Sequence, residues 1–296
     1  MLTSTSEIIK YCQEEGINFS EMVLREEVEK FETDPKEILE ELGRMLDVME
    51  ESTQNYLDQP SDLGLGMING FAHKMMVYKD QDSLVGPDLV QAMAMALSTF
   101  ESNSSMGRIV AAPTAGSAGI LPAALMYIKA KEDLDREDLV QGLLVSVGLG
   151  QIIGYYATFA GAEGGCQAEC GSAAAMAAGC LVYLKKGSLD QVFQAAAIAL
   201  VNVLGLVCDP IAGLVEYPCT FRNASGLMNA LISADMALAG TRSVVPFEEV
   251  AQAMKEVGDA MVESLRETGT GGLAATKTGS QIRKDFFKKN GVHIES

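Results

Sequence analysis

Gly164-Gly-Cys-Gln-Ala-Glu-Cys-Gly-Ser-Ala-Ala-Ala-Met-Ala-Ala-Gly-Cys-Leu-Val182 is a run of small residues carrying three thiols. From about Gly171 to Val182 it reads as a helix built to lie very close to its neighbours, and Cys166 stands just ahead of its start. A helix N-terminus favours thiolate charge, so Cys166 is placed for chemistry. The same richness in Gly, Ala and Met extends from about residue 64 to 280. Other helix signals flank it. Asp34-Pro35-Lys36-Glu37 offers a cap, a first-turn proline and a Glu that can reach back to the cap, followed by Ile38, Leu42, Met45, Leu46 and Met49 on one face. Ser188-Leu-Asp-Gln191 is a second capping box. Pro246-Phe-Glu-Glu249 opens a helix whose apolar positions run to Leu265, with Gly269 placed to stop it. Sustained apolar/polar alternation is missing apart from the short Ile109-Val110 stretch. The sequence predicts an all-α protein: one large helical domain over 61–296, its helices Gly/Ala-rich and close-packed. An acidic N-terminal helical appendage over 1–60, read as a hairpin, precedes it.

The composition supports a folded protein, with 48% hydrophobic and 21% charged residues in 296. Twenty-two Lys and Arg against 40 Asp and Glu give a formal charge of −18, which repels nucleic acid and anionic membrane faces. The start, MLTSTSEIIKYCQEEG, is charged early and has no apolar signal region. Six cysteines without a secretion signal imply reduced thiols in the cytoplasm. Leu139–Ala162 is free of charged residues and long enough to span a bilayer. Its glycines, Gln141, Ser146, Gln151 and Thr158 fit a buried core helix better. The charged tail after Gln281 is expected to fray.

Three cysteines lie in Gly-rich phrases: Cys166 in GGCQAEC, Cys208 in GLVCDPIAG and Cys219 in YPCTFRN. Pro210, Gly213 and Pro218 prevent one straight helix from joining the last two. The segment reads as a helix ending near Cys208, a turn, and a short rise to Cys219. Three thiolates can hold three corners of an iron–sulfur cube and leave one iron open as a Lewis acid. They can equally be buried bystanders. A zinc ribbon is disfavoured because no compact CxxC pair exists and His occurs only at 73 and 293. Cys180 reads as a core residue, and Cys170, one helical turn from Cys166, as structural, although it can reach the same site.

A second constellation is Asn103-Ser-Ser-Met-Gly-Arg108 running into Pro113-Thr114-Ala115-Gly116-Ser117-Ala118-Gly119-Ile-Leu-Pro122. Small hydroxyl residues and glycines ahead of a helix offer backbone N–H groups to an anion, or simply make a tight turn. Arg222 and Asn223 follow Cys219 by three and four residues, so they lie near any metal that Cys219 binds. Lys74 follows the turn at Gly70.

In order along the chain, NSSMGRIVAAPTAGSAGILPA, GAEGGCQAE, NVLGLVCDPIAGLVEYPCTFRNA, ADMALAG and RETGTGGLAATKTG resemble segments of the alpha chain of bacterial iron–sulfur-dependent L-serine dehydratases (L-serine ammonia-lyases). The resemblance covers nearly the whole chain. It implies a catalytic all-helical unit with an oxygen-sensitive [4Fe–4S] cluster on Cys166, Cys208 and Cys219 and no pyridoxal phosphate. It implies L-serine as substrate, bound near the Thr114-Ala115-Gly116-Ser117 turn, and a role in amino-acid degradation toward gluconeogenesis; Arg222 and Asn223, from their spacing after Cys219, are the further candidates to orient the bound acid. Lys74 matches a lysine of the family's Gly-Gly-x-Ala-x-Lys pattern and is the candidate base within this chain. Single-chain relatives carry a C-terminal cysteine that can cover the open iron, whereas this tail ends Val292-His-Ile-Glu-Ser296. The beta region, with its Ser-Ser-His-Thr motif and often an ACT domain, is also missing. A separate beta chain in a hetero-oligomer is therefore implied. Two competing readings are an iron–sulfur electron-transfer or sensing protein, with Cys170 as fourth ligand, and a helical scaffold or membrane-associated protein with no cofactor, motivated by Leu139–Ala162.

Overall fold

The small-residue run lies at the centre of the molecule. The structure is a computed structural model that describes residues 2–61 and 67–289. Thirteen α-helices and no strand occur among the described residues. In chain order they are α1 (Thr5–Glu15), α2 (Phe19–Phe31), α3 (Pro35–Gln54), α4 (Phe71–Tyr78), α5 (Pro87–Ser104), α6 (Ile120–Glu132), α7 (Arg136–Tyr156), α8 (Gly161–Gly164), α9 (Ser172–Leu184), α10 (Leu189–Val201), α11 (Cys219–Leu238), α12 (Phe247–Ala260) and α13 (Lys277–Lys289). The protein is all-α, and Ile109-Val110 lies outside any strand.

Helix α9 packs against α10, α7, α11 and α6, and all its residues except Tyr183 are buried. Its composition makes this possible. A Cβ added at Gly179 would lie 2.3 Å from Leu149 Cδ1 of α7, so the two helices approach through a missing side chain. Helix α7 is the one helix among the described residues long and apolar enough to cross a membrane. Twelve of its residues, from Leu139 to Ile153, are buried, and it packs on α9, α2, α12 and α3. The apolar face is thus filled by protein.

The N-terminal segment forms three helices where a hairpin was expected. Gly16, in the left-handed region at φ 66°, ends α1, and Asn18 caps α2 by accepting from Glu21 N. Helix α2 packs on α7, and α3 packs on α5, α6 and α7. One apolar cluster then runs from Ile8 and Cys12 through α9 to Met254.

The caps follow the sequence with one change of partner. Asp34 accepts from Lys36 N and Pro35 opens α3, but Glu37 takes the Thr33 hydroxyl and does not reach back to the cap. Both arms of the Ser188–Gln191 box are present. The Pro246 helix stops at Ala260, short of the expected Leu265. Beyond it the backbone is drawn into pairing with Cys208: Cys208 N donates to Leu265 O at 2.8 Å and Glu267 N donates to Cys208 O at 2.7 Å. A continuous helix would tie up the same Leu265 and Glu267 groups in its own ladder. The charged tail forms α13 as far as Lys289. Val292–Ser296 and residue 62 of the expected domain border lie outside the described residues.

Candidate metal centre and its surroundings

Three backbone devices bring the distant cysteines together. Cys166 precedes a π-helical turn, Gln167–Gly171, that leads into α9; such turns are frequent at functional sites. Gln167 ties this turn to the next segment: its N–H donates to Leu206 O at 3.0 Å, its Oε1 accepts from Gly205 N at 2.8 Å, and its Nε2 donates to Met254 O at 3.0 Å. Helix α10 ends at Val201, so Cys208 lies in extended chain held by the pairing with 265–267, not at a helix end as expected. Cys219 does not sit on a short rise. It is the first residue of the 20-residue helix α11, immediately after the cis Tyr217–Pro218 bond.

The thiols of Cys166, Cys170, Cys208 and Cys219 converge in the interior, each at most 4% exposed. Hydrogen bonds from Cys170, Cys208 and Cys219 hold the Cys166 thiol far below its ordinary range, helped by the Arg222 charge. The thiolate those bonds create pushes the other three well up, and burial adds to the shift. The Sγ atoms of Cys166 and Cys208 and a carboxylate oxygen of Glu169 all lie within 4.8 Å of one another. This soft, thiol-dominated donor set fits an iron–sulfur cluster, and no histidine joins it among the described residues. His73 is engaged elsewhere, with Nδ1 2.9 Å from Leu57 O.

Arg222 lies one helical turn beyond Cys219. Its Nη1 donates to Cys166 Sγ at 3.0 Å and its Nη2 to Asp209 Oδ1 at 2.7 Å. A groove of about 370 Å³, lined by Cys170, Asn202, Leu204, Leu206, Arg222 and Ser225, reaches this cation from outside. The predicted turn stands nearby. The Thr114 hydroxyl lies 3.1 Å from that of Ser117 and donates to Glu169 Oε1 at 2.9 Å. A Cβ on Gly116 would meet the same Glu169 oxygen at 3.3 Å. Asn223, fully buried, braces the turn against α11. It accepts from Gly119 N at 2.9 Å and donates to Gly116 O and Cys219 O at 2.8 and 2.9 Å, so both amide protons are spent within the fold. Seven of the nine residues singled out, all but Asn223 and Lys74, present a side chain or a turn to this region, and Asn223 shapes it.

Lys74 stands apart. It is exposed on α4, its Nζ donates to Asn69 O at 2.8 Å and lies 5.2 Å from the Phe71 ring centre, and no bond joins it to the thiols.

The sequence reading gave no role to three groups. Glu169 is 8% exposed, and its carboxyl is pushed up to about 7 by burial first and then by the Cys166 charge and Glu267. Its signal was position: it lies three residues after Cys166 in the quoted phrase, hence on the same helical side. Asp209 is adjacent to Cys208. Glu267 comes from the RETGTGG phrase and is raised by burial and then by Cys166. It lies close to Glu169, since a Cβ on Gly161 would meet an oxygen of each, at 2.8 and 3.1 Å.

Glu216 is 1% exposed, and among the described residues neither of its oxygens makes a hydrogen bond of normal geometry. Burial pushes its carboxyl up to about 7, with the Met67 backbone offsetting part of the shift. The folded value is above the unfolded one of about 4.3, so the group costs nothing below pH 4 and its full penalty applies above pH 7. The iron-free chain should lose stability between pH 5 and pH 8, roughly 2–3 kcal/mol of it through this group. In Glu216→Gln that part of the pH dependence should vanish, as read by denaturant unfolding at both pH values. An unchanged slope would show that the carboxyl is not held neutral.

Comparison with known proteins finds one family and several similar chains. Residues 14–274 match the family of the serine dehydratase alpha chain. The chain is 56% identical over 290 residues to the L-serine dehydratase alpha chain of Peptoniphilus asaccharolyticus, spanning 98% of this chain and 99% of that one. It is 43% identical over 288 residues to the probable L-serine dehydratase alpha chain of Bacillus subtilis, spanning 97% and 96%. L-serine dehydratase 2 of Escherichia coli is 35% identical over 283 residues, covering 92% of this chain but 61% of that longer protein. On a match of this extent, the chain belongs to the serine dehydratase alpha chain family.

Proposed function

We propose that this chain is the catalytic alpha subunit of an L-serine ammonia-lyase that eliminates water from L-serine to give pyruvate and ammonia. The observation that carries the reading is the convergence of Cys166, Cys208 and Cys219 on one buried point flanked by Arg222 and the Thr114–Ser117 turn. Those three thiols are the proposed holders of a [4Fe–4S] cluster, with no pyridoxal phosphate. When bound, such a cluster supplies an iron without a protein ligand, a Lewis acid for a departing hydroxyl.

The rest is done by the chain's own groups. Arg222 supplies the cation for a substrate carboxylate at the end of the 370 Å³ groove. The hydroxyls of Thr114 and Ser117 and the backbone at Gly116 orient the bound amino acid, and Asn223 keeps that turn in place. Glu169, in a dry setting and tied to Thr114, holds or takes a proton at its carboxylate oxygens. Lys74 is the second proton-handling candidate. The closely similar relatives are named as alpha chains, and the longer Escherichia coli protein has room for a further region. A separate beta chain therefore completes the enzyme as a hetero-oligomer, and by resemblance brings the Ser-Ser-His-Thr motif and an ACT domain. The expected setting is the cytoplasm, in serine degradation toward gluconeogenesis.

Cys170 favours a second reading. Four thiols at one point suit a fully ligated electron-transfer or sensing cluster. One measurement separates the two: iron and acid-labile sulfide in the anoxically purified chain, with spectra before and after L-serine. About four of each per chain and a serine-induced change support the lyase reading. A cluster indifferent to serine supports the second, and no iron after anoxic reconstitution removes both.

A further inference from the structure

We propose that the Asp209–Arg222 pair sets the reduction potential of the cluster through the Cys166 sulfur, an inference that rests on the cluster reading above. The pair joins all three ligand segments. Asp209 follows Cys208, Arg222 is one turn beyond Cys219, and Arg222 Nη1 donates to Cys166 Sγ at 3.0 Å. The opposite arm of the guanidinium is held by Asp209 Oδ1 at 2.7 Å, so the donor facing the sulfur has one orientation. Asp209 is itself fixed from a fourth segment. Its Oδ2 accepts from Leu273 N at 2.8 Å, and Gly272, at φ 55°, leaves no room for a Cβ, which would lie 2.4 Å from that oxygen. The GTGG phrase is thereby explained: glycine is needed where this backbone closes on the carboxylate.

Stability does not account for such a pair. Its side chains are 13% and 5% exposed, and buried ion pairs are on balance weak stabilisers. Their placement against a ligand sulfur does have a consequence. An N–H donor and a positive charge at the sulfur stabilise the more negative, reduced cluster and raise its potential. The balancing carboxylate sits on the far arm, so the sulfur meets the cation first. Asp209 is thus a positioning residue: it acts through Arg222.

The test is an EPR-monitored redox titration of the anoxically reconstituted full chain, comparing wild type, Asp209→Asn, Arg222→Lys and the double variant. Asn keeps an acceptor for Leu273 N but loses the charge that orients Arg222, while Lys keeps the charge but cannot span sulfur and carboxylate together. Arg222→Lys should shift the potential downward, and Asp209→Asn should change it less in the Arg222→Lys background than in the wild type, because the carboxylate acts through the guanidinium. Unshifted potentials, or two shifts that add, overturn the proposal. If Asp209→Asn does not load its cluster, Arg222→Lys decides alone by the same criterion. A wild type that takes up no iron removes the cluster reading itself, whereas a loaded wild type with unshifted variants removes only this inference.

Discussion

Cys208→Ser should leave the iron-free chain folded, strip it of its cluster and reduce serine-deaminating activity to background. The backbone of Cys208 is held from both sides by Leu265 O and Glu267 N, and neither bond involves the side chain. The thiol meets mainly other thiols and the nearby Glu169, so shortening it to a hydroxyl leaves the helices untouched. A buried hydroxyl with one lost partner costs about 1–3 kcal/mol, within what a 296-residue chain tolerates. Metal binding responds far more strongly, because a serine oxygen is a poor substitute for thiolate toward iron. Cys180→Ser is the control. That thiol is buried in α9, pushed up to about 12 by burial, and takes no part in the converging group. It should lose some stability and keep its iron. Cys170→Ser then separates the two functional readings, since a three-thiol cluster survives it and a four-thiol cluster does not. Iron content, unfolding curves and turnover on the same preparations check all three, and a Cys208→Ser chain with full iron and activity would sink the ligand assignment.

The helices were legible because their signals are local. Caps at Asp34, Ser188 and Pro246 and the apolar spacing behind them are decided within a few residues, and the small-residue run announced close packing without naming its partners. Errors arose where the chain is governed by a distant segment. Nothing within GLVCDPIAGLVEYPC says that Cys208 pairs with backbone near Arg266, more than fifty residues on, and that pairing is what ends α12 early. The cysteines stood out by residue type. Asp209 and Glu169 did not, because an acid beside a cysteine looks like any solvated charge until the fold buries it. Arg222 was noticed for its distance from Cys219, while its hold on Cys166, fifty-six residues away, required the fold.

Glu169→Gln should retain the cluster and lower kcat by about 10²–10⁴-fold with little change in KM, the usual effect of losing a positioned proton carrier. The side chain is well placed for that task. One oxygen accepts from Thr114 and the other lies 3.9 Å from Cys166 Sγ, and the carboxyl is shifted toward neutrality because it is buried beside a thiolate and a second acid. Glutamine preserves the size and the acceptor for Thr114, so the turn and the thiols should stay in register. What it removes is the ability to exchange a proton. Loss of iron in this variant would point instead to Glu169 as a ligand, which its position among the sulfurs permits. Lys74→Met provides the contrast. Lys74 is exposed and tied to Asn69 O, so its removal should spare turnover. If Lys74→Met is the damaging change and Glu169→Gln is silent, α4 must come over the site when the beta chain assembles, and the proton is handled from that side.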